Sequence, residues 1–199
     1  MNRKPWGILA TLVLTLFLLT TGALAAEHTS HALCPHGDGC IICPEEAKTS
    51  NAFTDAKELT TQNGSLYIDG TRWTTFDGGG ANSPYLLPAG NYYLGSDLDL
   101  ERYGISANAE GTGTVNLCLN GHSISVGSAG EELLTVANST TLNLCDCNGS
   151  HAGNGKILRR MKKDACVLVK TGGYFKLYSG ILTDANVTDS FKGACRGVY

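Results

Sequence analysis

"LTVANSTTLNLCDCNG" (134–149) and "VLVKTGGYFKLYSGI" (167–181) share one plan when the first is laid over the second. Val136 falls on Val169, Leu142 on Phe175 and Leu144 on Leu177, all at the same offset. In each copy a short apolar strand leads to a polar or glycine turn, a second alternating strand and a glycine-containing corner. "GTVNLCLNG" (113–121) repeats the second strand earlier in the chain, with Leu117 on Leu144. "GNYYLGSDL" (90–98) repeats it once more, with Leu94 on Leu117. Near the far end "ACRGVY" (194–199) echoes "ACVLVK" (165–170), with Val198 on Val169.

Periods between the low twenties and the low thirties, built from short strands and turns without helices, predict a coiled β-solenoid. One turn of such a coil buries only a thin row of apolar side chains. Stacking the turns merges those rows into a continuous core, so several turns are needed for stability. The spaced leucines and asparagine ladder of leucine-rich repeats do not recur in the sequence. The competing architecture is an antiparallel sandwich, which unequal spacing would also suit.

Superposing the repeats places Cys118 on Cys145 and Cys166 on Cys195. Parallel strands of adjacent turns lie about 4.8 Å apart, within the Cα separation that a disulfide tolerates. Staples Cys118–Cys145 and Cys166–Cys195 are therefore expected, with Cys147 replacing Cys145 if the corner slips by two positions. Buried free thiols acting as small apolar groups are the simpler alternative. Asn120-Gly121 and Asn148-Gly149 are the corners, because Asn and Gly tolerate the positive φ of a sharp bend.

Bulk properties agree with an exported all-β chain. Arg3 and Lys4 precede an apolar run from Ile8 to Leu19, and small residues ending in Ala23-Leu24-Ala25 follow. That is the pattern of an export signal over residues 1–25, too short to span a bilayer, which needs about 20 apolar residues. Without Arg3 and Lys4 the chain keeps 13 Lys plus Arg against 18 Asp plus Glu, a net charge of −5. A mildly acidic exported protein has no electrostatic case for nucleic acid. No second apolar segment is long enough to cross a membrane. Eight cysteines in such a chain suggest disulfides over cytosolic redox chemistry. Twenty-five glycines with few prolines favour short strands and tight turns. Only "SNAFTDAKELTT" (50–61) could form a short capping helix.

"LPAGNYYLGSDLDL" (87–100), "TVNLCLNGHSI" (114–124), "TLNLCDCNGSHAGNGKI" (141–157) and "GYFKLYSGILTDANVT" (173–188) resemble successive turns of right-handed parallel β-helix proteins. In particular they resemble the pectin-lyase-like surface proteins of Gram-positive gut bacteria, over roughly residues 70 to 199. The resemblance implies an all-β, single-stranded right-handed parallel β-helix. A signal peptide would occupy residues 1–25, a Cys/His-containing extension and cap residues 26–64, and the helix residues 65–199. "GACRGVY" (193–199) reads as the opening of a further turn, so a piece of a longer surface protein, or a truncated product without independent function, is expected. The superfamily mixes lyases, hydrolases and adhesins, so fold does not fix activity.

Candidate sites are sparse. Cys34, His36, Cys40 and Cys43 supply the ligand types of a small zinc site, but an oxidising compartment favours a local disulfide, with one cysteine left for Cys147. Lyases of this architecture hold calcium between carboxylates and abstract a proton with Arg or Lys. Asp97, Asp99, Asp146 and Asp184 would be the acids here, with Lys156, Arg159 and Arg160 as bases, yet they fall at different phases of the repeat. Hydrolases need two carboxylates across the scissile bond, and no turn adjacent to Asp146 repeats it. His122 could act as a base but shows no carboxylate orienter on the next turn, where position 149 is glycine. "GKILRRMKK" (155–163) is expected in a loop, where Lys156, Arg159 and Arg160 could meet an anionic glycan. Tyr178, aligned with Cys118 and Cys145, should face outward where it could stack on a sugar, whereas Tyr92, aligned with Val115, should face inward. Sequons at Asn63, Asn138, Asn148 and Asn186 arise easily in such turns.

The expected function is a secreted or cell-surface, non-catalytic module for adhesion to glycans or proteins, without a cofactor. The alternative is a calcium-using lyase or a hydrolase acting on acidic polysaccharide.

Overall fold

The computed structural model describes residues 53, 55–79, 83–100, 103–108, 112–126, 133–147, 156–159 and 166–184. Every regular element among them is a β-strand. In chain order these are β1 (Lys57–Gln62), β2 (Ser65–Ile68), β3 (Thr71–Arg72), β4 (Tyr85–Leu87), β5 (Gly90–Leu94), β6 (Leu98–Leu100), β7 (Ile105–Ala107), β8 (Thr114–Cys118), β9 (Ser123–Val126) and β10 (Leu134–Val136). There follow β11 (Thr141–Cys145), β12 (Lys156–Arg159), β13 (Val167–Val169), β14 (Tyr174–Leu177) and β15 (Ile181–Asp184).

Three sheets hold them. The first has the order β14-β11-β8-β5-β1-β2-β3, the second β13-β10-β7-β4 and the third β15-β12-β9-β6. From β4 onward the chain visits the second, first and third sheets in constant rotation. Each strand therefore pairs with its equivalent one rotation away, and all these pairs are parallel. Among the described residues antiparallel pairing is confined to β1-β2-β3 and a Phe76–Tyr85 bridge. That distribution excludes the antiparallel sandwich.

Two-residue alternation explains which residues meet. Tyr92 and Leu94 on β5, Val115 and Leu117 on β8, and Leu142 and Leu144 on β11 are all buried in one interior. Ile105, Leu134 and Val167 line it from the second sheet, and Leu98 and Ile124 from the third. The register Leu142 on Phe175, Leu144 on Leu177, Leu117 on Leu144 and Val136 on Val169 is the one read from the repeat. The β5 superposition needs correction: Tyr92, not Leu94, pairs with Leu117. A slip of two keeps each side chain on its own face, so the inward placement of Tyr92 stands.

Residues 57–61 are strand, not the expected capping helix. Leu59 pairs with Leu94 on β5 and is fully buried, so tertiary pairing overrides a weak helical preference. β1 thus extends the first sheet, although the sequence places it with the N-terminal extension. Two-residue turns at Asn63-Gly64 and Asp69-Gly70, every one of these residues at positive φ, fold β2 and β3 back beside it. Among the described residues no helix is long and apolar enough to cross a membrane.

Candidate functional site

Between first- and third-sheet strands the chain turns corners at residues 95–97, 120–122 and 146–147, which follow β5, β8 and β11. Asn120 (φ 51°) and Gly121 (φ 79°) adopt the left-handed conformation expected of a corner. Carboxylates from the turns on either side clamp it. Asp146 Oδ1 accepts the Gly121 N–H at 2.7 Å, and Asp97 Oδ1 accepts the Ser123 N–H at 2.7 Å. Asn120 Nδ2 also donates to the Leu94 carbonyl at 3.0 Å, tying this corner to the preceding one.

The two weak catalytic candidates meet at this corner in different ways. His122 Nδ1 lies 3.6 Å from Asp97 Oδ1, an ion pair whenever the imidazole is protonated. His122 therefore has a carboxylate neighbour on the preceding turn, whereas the expectation concerned the next turn only. Asp146 is buried, and its backbone N–H donates to Ser179 Oγ at 2.6 Å while Ser179 Oγ–H returns a bond to the Asp146 carbonyl at 3.1 Å. Its carboxylate and backbone both hold neighbouring turns in place. Asp99 Oδ1 accepts the Ser125 hydroxyl at 3.1 Å.

Lys156 and Arg159 are not in a loop. They bound β12, where Ile157 stands in register between Ile124 and Leu182, so the basic run contains a third-sheet strand with apolar residues at its centre. Arg160 lies outside the described residues, as do Cys34, His36, Cys40, Cys43 and Cys195. Asp184 closes β15. Among the described residues no group of three or more His, Cys, Asp or Glu is placed to hold a metal ion.

The outer face of the first sheet carries two rows. Asn116 Nδ2 donates to Asn91 Oδ1 at 2.8 Å, and Asn143 Nδ2 donates to Asn116 Oδ1 at 2.7 Å. These three side chains form an asparagine ladder of a different kind from that of leucine-rich repeats, one on the outer face of the first sheet. The second row contains Cys118 and Cys145 in register, with Tyr93 and Tyr178 packed against them. Phe53 and Cys147 complete this small apolar cluster outside the main core. Tyr178 is thus on the outer face, as expected, but half-buried against thiols.

Cys118, Cys145, Cys147 and Cys166 are all buried, and Cys118 and Cys145 carry free thiols. Cys118 Sγ lies 2.8 Å from Cys147 Sγ. Burial pushes the Cys118 thiol above the usual range, opposed by its hydrogen bond with Cys145. Hydrogen bonds with Cys118 and Cys147, then burial, push Cys145 up as well.

Asp77 escaped the sequence reading. Its carboxylate accepts Ser106 Oγ–H at 2.9 Å and Asn108 Nδ2–H at 3.4 Å, and Lys170 Nζ approaches to 3.7 Å. With Trp73 Nε1 donating to the Leu86 carbonyl at 2.9 Å, it straps residues 73–77 across the second sheet. No short-range motif marks Asp77, because all three partners come from later rotations of the chain. No family model, curated protein or solved structure matches the chain.

Proposed function

We propose that the chain is a secreted or cell-surface right-handed parallel β-helix whose work is binding, on the pectin-lyase-like plan. The observation that carries this reading is the asparagine row 91-116-143 on the outer face of parallel β5, β8 and β11. Paired strands repeat every ~4.8 Å and cannot slide without breaking the ladder, so the row, half-buried at Asn91 and Asn116 and buried at Asn143, marks a rigid, extended face. Such a face suits the hydroxyls of a glycan or the backbone of an extended protein segment. The acids favour a structural role: Asp97 and Asp146 accept backbone N–H bonds at corners, and Asp77 fastens a strap.

A glycan array, run beside a calcium-supplemented polygalacturonate degradation assay, tests the reading. Binding that weakens in Asn91→Ala, without polymer cleavage, supports it. The His122–Asp97 contact favours the alternative, a lyase or hydrolase on acidic polysaccharide. Cleavage that disappears in His122→Ala would establish that alternative and overturn the binding role.

A further inference from the structure

We infer that Cys118 and Cys147 are joined by a disulfide in the oxidised protein, and that Cys145 remains the free thiol of the cluster. The in-register partner of Cys118 is Cys145. In a parallel ladder, however, registered side chains leave their strands in the same direction. Their Cβ atoms then stay about as far apart as the strands, ~4.8 Å, whereas a disulfide prefers a Cβ separation near ~3.8 Å. Cys147 lies beyond the end of β11, at the corner, where the chain is free of the ladder. Its sulfur already stands 2.8 Å from Cys118 Sγ.

The bond would close a loop from the end of β8 to the corner of the next turn. That corner carries Asp146, whose carboxylate holds Gly121 on the preceding corner. The link therefore pins the clamp as well as the sheet edge. Phe53 packs in the same cluster, and both cysteines are buried. Oxidation must precede final packing, and reductants should reach the bond only when this edge opens.

The chemistry is thiol–disulfide exchange with a small-molecule disulfide such as oxidised glutathione. The Cys118 thiolate attacks one oxidant sulfur, forms a mixed disulfide and expels one glutathione thiolate. The Cys147 thiolate then attacks the Cys118 sulfur and expels the second. Two protein thiols are oxidised, one oxidant disulfide is reduced to two thiols, and the two protein protons pass to the expelled thiolates or to solvent.

The inference depends on the stacked turns of the proposed fold but not on any ligand, so loss of glycan binding would leave it standing. The test is to refold the full chain with reduced and oxidised glutathione, alkylate free thiols, and cleave on the N-terminal side of Asp146. That cut separates Cys145 from Cys147. The expected result is a Cys118–Cys147 cross-linked peptide two hydrogens lighter than the reduced pair, with Cys145 alkylated. Reductant should lower the melting temperature of the wild type and of Cys145→Ser by more than it lowers that of Cys147→Ser. A Cys118–Cys145 link, a link from Cys147 to Cys34, Cys40 or Cys43, or full alkylation of Cys118 would each overturn the inference.

Discussion

Asn116 is bonded on both sides, donating to Asn91 and accepting from Asn143, whose own side chain is buried. Removing it strips a partner from two amides at once. Asn116→Ala should therefore destabilise the fold by about 1–3 kcal/mol, read as a lower urea midpoint with an unchanged slope. Tyr92 makes a different test. Its phenol, buried and near the charge of Asp69, is pushed up from 10.0 to about 12, and it donates to the Pro88 carbonyl at 3.0 Å. The unfolded chain releases this proton first, so the stability it supplies is full below pH 10 and falls as pH rises toward 12. Thermal melts across that range should show the loss in the wild type and a flatter profile in Tyr92→Phe. At this scale the sequence revealed inward Tyr92 and the alignment of Cys118 with Cys145. The Asp97–His122 contact stayed hidden because the carboxylate comes from the preceding turn, and the residues facing it were sought on the next.

Elements were legible where repeats overlap. β8, β11 and β14 follow directly from the superposition of Leu117, Leu144 and Leu177. β1 was not, because "SNAFTDAKELTT" has no copy and its helical preference is decided by Leu59 pairing with Leu94. The signal that could have found it was present: Asn63-Gly64 and Asp69-Gly70 are two-residue hairpin turns on either side of the short strand β2. β12 was missed for the opposite reason, since the basic residues of "GKILRRMKK" obscure Ile157 and Leu158. The β13–β14 corner shows how tightly one turn rests on another. A Cβ on Gly173 would lie 2.8 Å from the Ala137 carbonyl and 3.1 Å from that of Lys170. Gly173→Ala should force these backbones apart and lose about 1–3 kcal/mol, measurable by chemical denaturation.

For the whole molecule, the unequal spacing of the repeat has a simple cause. Three strands per rotation fix where the chain must return, while the connections between them vary in length without disturbing the ladders. Core rows therefore remain aligned from β5 to β14, although the chain between Leu144 and Leu177 is longer than that between Tyr92 and Leu117. The same geometry makes the outer rows straight, and the binding proposal depends on that straightness. Methyl-labelled NMR measures it most directly. Stacked parallel turns require strong contacts from the Leu144 methyl groups to those of both Leu117 and Leu177, each a full rotation away along the chain. Leu144 contacts confined to strands adjacent in sequence, with none to Leu117, would contradict the account.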